Sequence, residues 1–133
     1  MKKADVVVIG AGPGGYVAAI RAAQHGKKVI CVEREFLGGV CLNVGCIPSK
    51  ALINAGKTAS RAKKLYPDMG LDFGDVKIDI QKMVAWKQKV VDRLTGGVGF
   101  LFKHHNVEPV MGTAKFLSPT RLEVTSSNGT ETI

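Results

Sequence analysis

Four β-branched residues, Val6 to Ile9, run without a spacer into Gly10-Ala11-Gly12-Pro13-Gly14-Gly15. An alanine-rich stretch of helical pattern follows over residues 13–25, with Gly26 placed to cap its end. A second apolar run, residues 28–33, closes on Glu33. Short β-branched runs bounded by glycine read as buried strands, the first over residues 4–9. Strand, glycine-rich turn, helix and strand make a βαβ unit of about thirty residues. Two strands joined in this way pair in parallel, with the helix as crossover. A Rossmann-like α/β fold is the expectation.

The spacing of the glycines has a physical reason. Gly10 allows the tight turn out of the strand. Gly12 lets backbone N–H groups approach a pyrophosphate, and Gly15 lets the helix pack close to the sheet. The helix N-terminus, opening on Pro13 and Gly14, directs free N–H donors and a partial positive charge at phosphates. Glu33 lies 23 residues after Gly10. A carboxylate there accepts hydrogen bonds from ribose hydroxyls. The pattern reads as a dinucleotide site, and spacing alone leaves FAD and NAD equally open.

Cys41 and Cys46 follow in Gly38-Gly39-Val40-Cys41-Leu42-Asn43-Val44-Gly45-Cys46-Ile47-Pro48-Ser49-Lys50. A redox-active disulfide, a metal site and a pair of inert thiols are the three readings. Zinc takes about four ligands, and Cys31, His25, His104 and His105 fall in or beside other elements. Disulfide-bonded residues need Cα atoms roughly 4.4–6.8 Å apart. In a regular helix, residues five apart rise about 7.5 Å and point about 140° away from each other. A distorted loop or first turn, tolerated by Asn43 and Gly45, is therefore expected, with Cys46 just ahead of a helix. That position favours thiolate, and Lys50 can project near it. The redox reading is favoured. Cys31, inside an apolar run, reads as a buried core thiol.

The remaining chain reads as a loop over 34–46, a helix over 48–65, a connecting loop over 66–77 and a long helix over 79–103. Gly96, Gly97 and Gly99 are expected to kink that helix or to admit another backbone. Four short strands follow, at 107–111, 114–117, 122–125 and 130–133, with turns at Ser118-Pro119 and Asn128-Gly129. This tail reads as a β-meander.

The net charge of +8 raises nucleic-acid binding. The basic residues are spread along two predicted helices, Lys57, Arg61, Lys63 and Lys64 on one and Lys82, Lys87, Lys89 and Arg93 on the other. Solvated helix faces explain them, and no nucleic-acid partner is expected. No apolar run reaches about 18 residues, so no membrane span is expected. The N-terminus enters its first strand almost at once and lacks the apolar stretch of a secretory signal. A cytoplasmic protein is the expectation.

The segments VVIGAGPGGYVAAIRAAQHGKKVICVE and GGVCLNVGCIPSKAL together resemble the N-terminus of the pyridine nucleotide-disulfide oxidoreductases. Within that family they are most similar to the dihydrolipoamide dehydrogenases. The likeness covers essentially the whole chain and is strongest over residues 4–54. It implies FAD, not NAD, at the first site, held by Gly10, Gly12, Pro13, Gly14, Gly15, Glu33, Arg34, Gly38, Gly39, Val40, Cys41, Cys46, Lys50 and Ala114. It implies that Cys41 is the thiol that exchanges with substrate and Cys46 the thiol that faces the flavin. Val40 departs from the threonine found in many relatives. The implied reaction oxidises dihydrolipoamide, carried on a lipoyl domain of a 2-oxo acid dehydrogenase complex, with NAD+ as final acceptor in a homodimer. The resemblance also implies parts outside residues 1–133: the returning half of the FAD domain, an NAD-binding domain, and an interface domain with a catalytic His-Glu pair. Residues 1–133 are then the N-terminal portion of the FAD-binding domain, inactive alone. The alternatives are a non-catalytic flavin-binding fragment and a glutathione or mercuric reductase relative.

Overall fold

The structure is a computed structural model that describes residues 1–133. Its elements are β1 (Val6–Ile9), α1 (Pro13–Gln24), β2 (Val29–Glu33), α2 (Gly39–Asn43), α3 (Cys46–Lys64), a single 3-10 turn (Pro67–Met69), α4 (Ile80–His104), β3 (Val107–Met111), β4 (Thr113–Ser118), β5 (Arg121–Ser126) and β6 (Gly129–Thr132). The expected βαβ unit is present, and its two strands pair in parallel from Val6 opposite Val29 to Ile9 opposite Val32. β3 joins the other side of β2, also in parallel, to give the order β1-β2-β3. The last three strands form a separate antiparallel sheet, β4-β5-β6, so the meander has three of the four strands expected for the tail, the first having joined the parallel sheet as β3.

β2 is buried at all five positions. Successive strand residues face opposite sides, and β2 uses both. Val29 and Cys31 pack with Ala19, Phe102 and Val107 beneath the helices. Ile30 and Val32 pack with Val110, Leu122, Val124 and Ile133 against the meander. The parallel sheet is thus covered by helices on one face and by β4-β5-β6 on the other. That is why residues 28–33 read as a continuous apolar run rather than an alternating one.

The structure changes several local expectations: β1, expected to be buried, is half-buried at Val6 to Val8 and exposed at Ile9, because it is an edge strand of its sheet. Residues 34–46 are not all loop: Gly39–Asn43 form α2, a turn and a half of helix. Cys46 is the first residue of α3 instead of preceding it, with Gly45 as its N-cap. α4 runs unbroken through Gly96, Gly97 and Gly99. Its buried residues, Val91, Val98 and Phe102, lie on one stripe. Burial of that stripe offsets a helix cost of about 1 kcal/mol per glycine. Asp79 starts α4, its Oδ1 accepting from the Lys82 N–H at 3.0 Å. No helix is long and apolar enough to cross a membrane.

Candidate dinucleotide and dithiol site

The parallel strands end on one rim, and a cleft of about 410 Å³ opens there. Ligands in open α/β sheets bind outside the carboxyl ends of the strands. Six of the residues singled out from sequence line this cleft: Gly10, Glu33, Arg34, Gly39, Val40 and Ala114. Gly112 and Thr113 line it as well and were not singled out. Their signal was the glycine that separates two strand-like runs just before Ala114. Gly112 has φ +155°, and a Cβ there would meet the Thr125 carbonyl oxygen at 2.7 Å. The meander can therefore fold back over the rim only if this position lacks a side chain.

The glycine-rich turn has the geometry its spacing demands. Gly10 takes φ +93°, and a Cβ on Gly15 would stand 1.7 Å from the Gly10 carbonyl oxygen. The start of α1 thus rests directly on the end of β1. At Gly12 and Gly14 a Cβ would meet nothing within 4 Å, so the side-chain direction is open at both. No side chain caps α1, whose first residue is Pro13. The first N–H groups of a helix lack intrahelical acceptors, so the donors at Gly14 and Gly15 are available to a ligand. A phosphate-bearing group fits this cradle by charge and by space.

Glu33 is buried at the end of β2, with 8% of its surface exposed. Its Oε2 accepts from the Ala11 N–H at 2.6 Å and its Oε1 from the Glu35 N–H at 2.9 Å. The carboxylate therefore braces the glycine-rich turn while lining the cleft. Sequence spacing places it at the strand end but does not reveal these two backbone partners.

α2 links the cleft to the cysteines. Gly39 and Val40 face the cleft, and Cys41 follows on the same short helix. Gly38 N–H donates to the Ala11 carbonyl at 2.8 Å, and a Cβ on Gly39 would stand 2.7 Å from the Gly12 Cα. α2 is consequently seated on the glycine-rich turn. The Val44 and Gly45 N–H groups both donate to the Val40 carbonyl, at 3.0 and 2.7 Å. This double bond ends α2 and turns the chain into α3. The unusual backbone falls on Gly38 and Gly39, with φ +91° and +61°, and, as expected, on Gly45, with φ −117° and ψ −104°, whereas Asn43 is helical.

Cys41 and Cys46 are free thiols, the first half-buried and the second exposed. Hydrogen bonding to the Cys46 side chain, with partial desolvation and the charge of Cys46, pushes the Cys41 pKa up. The Cys46 backbone N–H and the Lys50 ammonium pull it the other way. Cys41 therefore senses both Cys46 and Lys50. Cys31 is fully buried beneath the sheet, as expected, and burial with the Glu33 charge pushes its thiol up to about 11.

A model of the pyridine nucleotide-disulphide oxidoreductases matches residues 4–132. The chain belongs to that family. It is 55% identical over 128 residues to the dihydrolipoyl dehydrogenase of Bacillus subtilis (strain 168), covering 96% of this chain and 27% of that protein. It is 49% identical over 131 residues to the dihydrolipoyl dehydrogenase of Manduca sexta, covering 98% and 26%. It is 48% identical over 130 residues to the leghemoglobin reductase of Vigna unguiculata, covering 97% and 25%. A solved structure, the Cu(II) complex of an HOCl-induced flavoprotein disulfide reductase from Escherichia coli, superposes with a TM-score of 0.80 at 25% identity, over 99% of this chain and 26% of that one. The family resemblance read from the two motifs thus holds along nearly the whole chain. The chain spans about a quarter of the length of the relatives it matches.

Proposed function

We propose that residues 1–133 are the N-terminal part of the FAD-binding domain of a dihydrolipoyl dehydrogenase. The full-length enzyme oxidises the dihydrolipoamide of a 2-oxo acid dehydrogenase complex, works as a homodimer and uses NAD+. One observation supports this above the others: α2 is shared. Its first two residues, Gly39 and Val40, line the nucleotide cleft, and its third, Cys41, is half of the dithiol.

The residues divide the work. The free N–H donors of Gly14 and Gly15 hold the pyrophosphate. The remaining lone pairs of Glu33 accept from the ribose. Gly10, Arg34, Gly38, Gly39, Val40 and Ala114 wrap the cofactor. In the oxidised protein, one dihydrolipoamide thiolate attacks the Cys41 sulfur, and the S–S bond breaks with Cys46 leaving as thiolate. The second substrate thiol attacks its own mixed-disulfide sulfur, which frees lipoamide and returns the electron pair to Cys41. The Lys50 ammonium and the Cys46 N–H stabilise the charge left on the pair. FAD, which Gly10, Gly14, Gly15 and Glu33 would hold, would supply the two-electron redox chemistry that links the dithiol to NAD+.

The test is a comparison of substrates on the full-length enzyme, with dihydrolipoamide and glutathione each offered with NAD+ and NADP+. Dihydrolipoamide with NAD+ is expected to exceed every other pairing by about tenfold or more. Cys41→Ser and Cys46→Ser are expected to retain flavin and lose turnover. Preference for glutathione would overturn the substrate, and turnover in either serine variant would overturn the dithiol.

A further inference from the structure

α2 has little that should hold it in place. It has five residues and no side-chain cap, and its N-cap Gly38 is left-handed at φ +91°. Helices this short are not stable on propensity alone. Asparagine is a poor helix former, because its side chain competes for backbone partners. Yet Asn43 ends α2, and both N–H donors of its side-chain amide are used. Asn43 Nδ2 donates to the Leu37 carbonyl at 2.9 Å and to the Gly39 carbonyl at 2.9 Å.

Those two carbonyls flank Gly38, whose N–H donates to Ala11 in the glycine-rich turn. Asn43 lies between Cys41 and Cys46. It therefore ties the segment that carries the thiols to the segment that rests on the nucleotide cradle. We propose that Asn43 is a positioning residue for the Cys41–Cys46 pair. By holding the Leu37 and Gly39 carbonyls it fixes α2 on the glycine-rich turn, and so fixes where the Cys41 sulfur stands relative to Cys46. The inference rests on the redox reading of the two cysteines but not on the identity of the substrate.

Two thiols held in place form a disulfide more readily than two that wander. Loss of the Asn43 amide should make the disulfide easier to reduce. The measurement is the thiol–disulfide equilibrium of Cys41 and Cys46 in the full-length, FAD-loaded enzyme, poised in dithiothreitol buffers without lipoamide. Asn43→Ala is expected to lower the constant for disulfide formation about tenfold, or about 30 mV for this two-electron couple. Asn43→Asp, of the same shape, turns a donor into a carboxylate facing two carbonyl oxygens. Its deficit relative to the unsubstituted enzyme should exceed that of Asn43→Ala at pH 8. Two facing carbonyl oxygens disfavour the carboxylate and raise its pKa above the ordinary value of about 3.9, so the deficit should shrink at pH 5 as the protonated carboxyl donates one bond again. Val91→Ala, in the core of α4, serves as a control that loses stability and leaves the couple unchanged.

If both Asn43 variants melt earlier but keep the wild-type equilibrium within about threefold, Asn43 is only structural and the proposal fails. Should Asn43→Ala not fold, Asn43→Ser, whose hydroxyl supplies one donor, decides by the same criterion. Failure of the enzyme to oxidise dihydrolipoamide would overturn the substrate assignment and leave this measurement untouched.

Discussion

Gly12 and Gly15 stand three residues apart in one motif and do opposite things. A methyl group on Gly15 would be driven into the Gly10 carbonyl, 1.7 Å away, whereas one on Gly12 would meet no protein atom within 4 Å. Gly15→Ala should therefore damage the fold, because backbone is what blocks it. Overpacking costs typically about 1–3 kcal/mol and more where nothing yields. Gly12→Ala should leave the apoprotein's melting temperature nearly unchanged and impair flavin loading, because its methyl fills the space meant for the phosphates. Melting curves of the apoproteins and flavin content after reconstitution separate the two. Equal melting losses would mean that the glycines do not divide their roles in this way. The close packing at Gly15 was legible from spacing. The bonds of Glu33 and Asn43 to backbone were not, because they depend on where the glycine-rich turn and residues 37–39 come to rest.

Elements with a strong period or composition were readable. β1, α1, β2 and the meander strands lie within a residue or two of where apolar runs and turns place them, the usual play at element ends. α2 was not readable, since five residues with glycine before them give no period to detect. The long helix α4 was readable despite its glycines; they called for a kink or for room beside another backbone, and the helix continues through them, sustained by tertiary burial of Val91, Val98 and Phe102. This difference has a measurable consequence. At Gly96 and Gly97 a Cβ would meet nothing within 4 Å, and both residues are helical. Gly96→Ala and Gly97→Ala should each stabilise the protein by about 0.5–1 kcal/mol, by removing unfolded-state freedom without adding strain. Urea unfolding checks this through a higher midpoint at unchanged slope. A loss instead would show that a further segment of the full-length enzyme approaches α4 at those glycines.

At the scale of the whole molecule, two cores share one sheet. The helical core holds Phe102, 1% exposed, together with Leu42 of α2, and the meander core holds Leu122, 6% exposed. The two meet across the sheet, at β2 and at β3, whose Val107 and Val110 lie in different cores, and the cleft opens where β2 ends, between α2 on one side and Gly112 to Ala114 on the other. The site is therefore assembled from both layers, and neither alone would frame it. Phe102→Ala should cost about 3–5 kcal/mol and Leu122→Ala about 2–5 kcal/mol. The two side chains have no packing partner in common. Separated sites without shared partners add to within about 0.5 kcal/mol. The double variant in urea should therefore lose the sum of the single losses. A non-additivity above about 1 kcal/mol would mean that β2 passes repacking from one face to the other, so that a change under the helices is felt at the meander's side of the cleft.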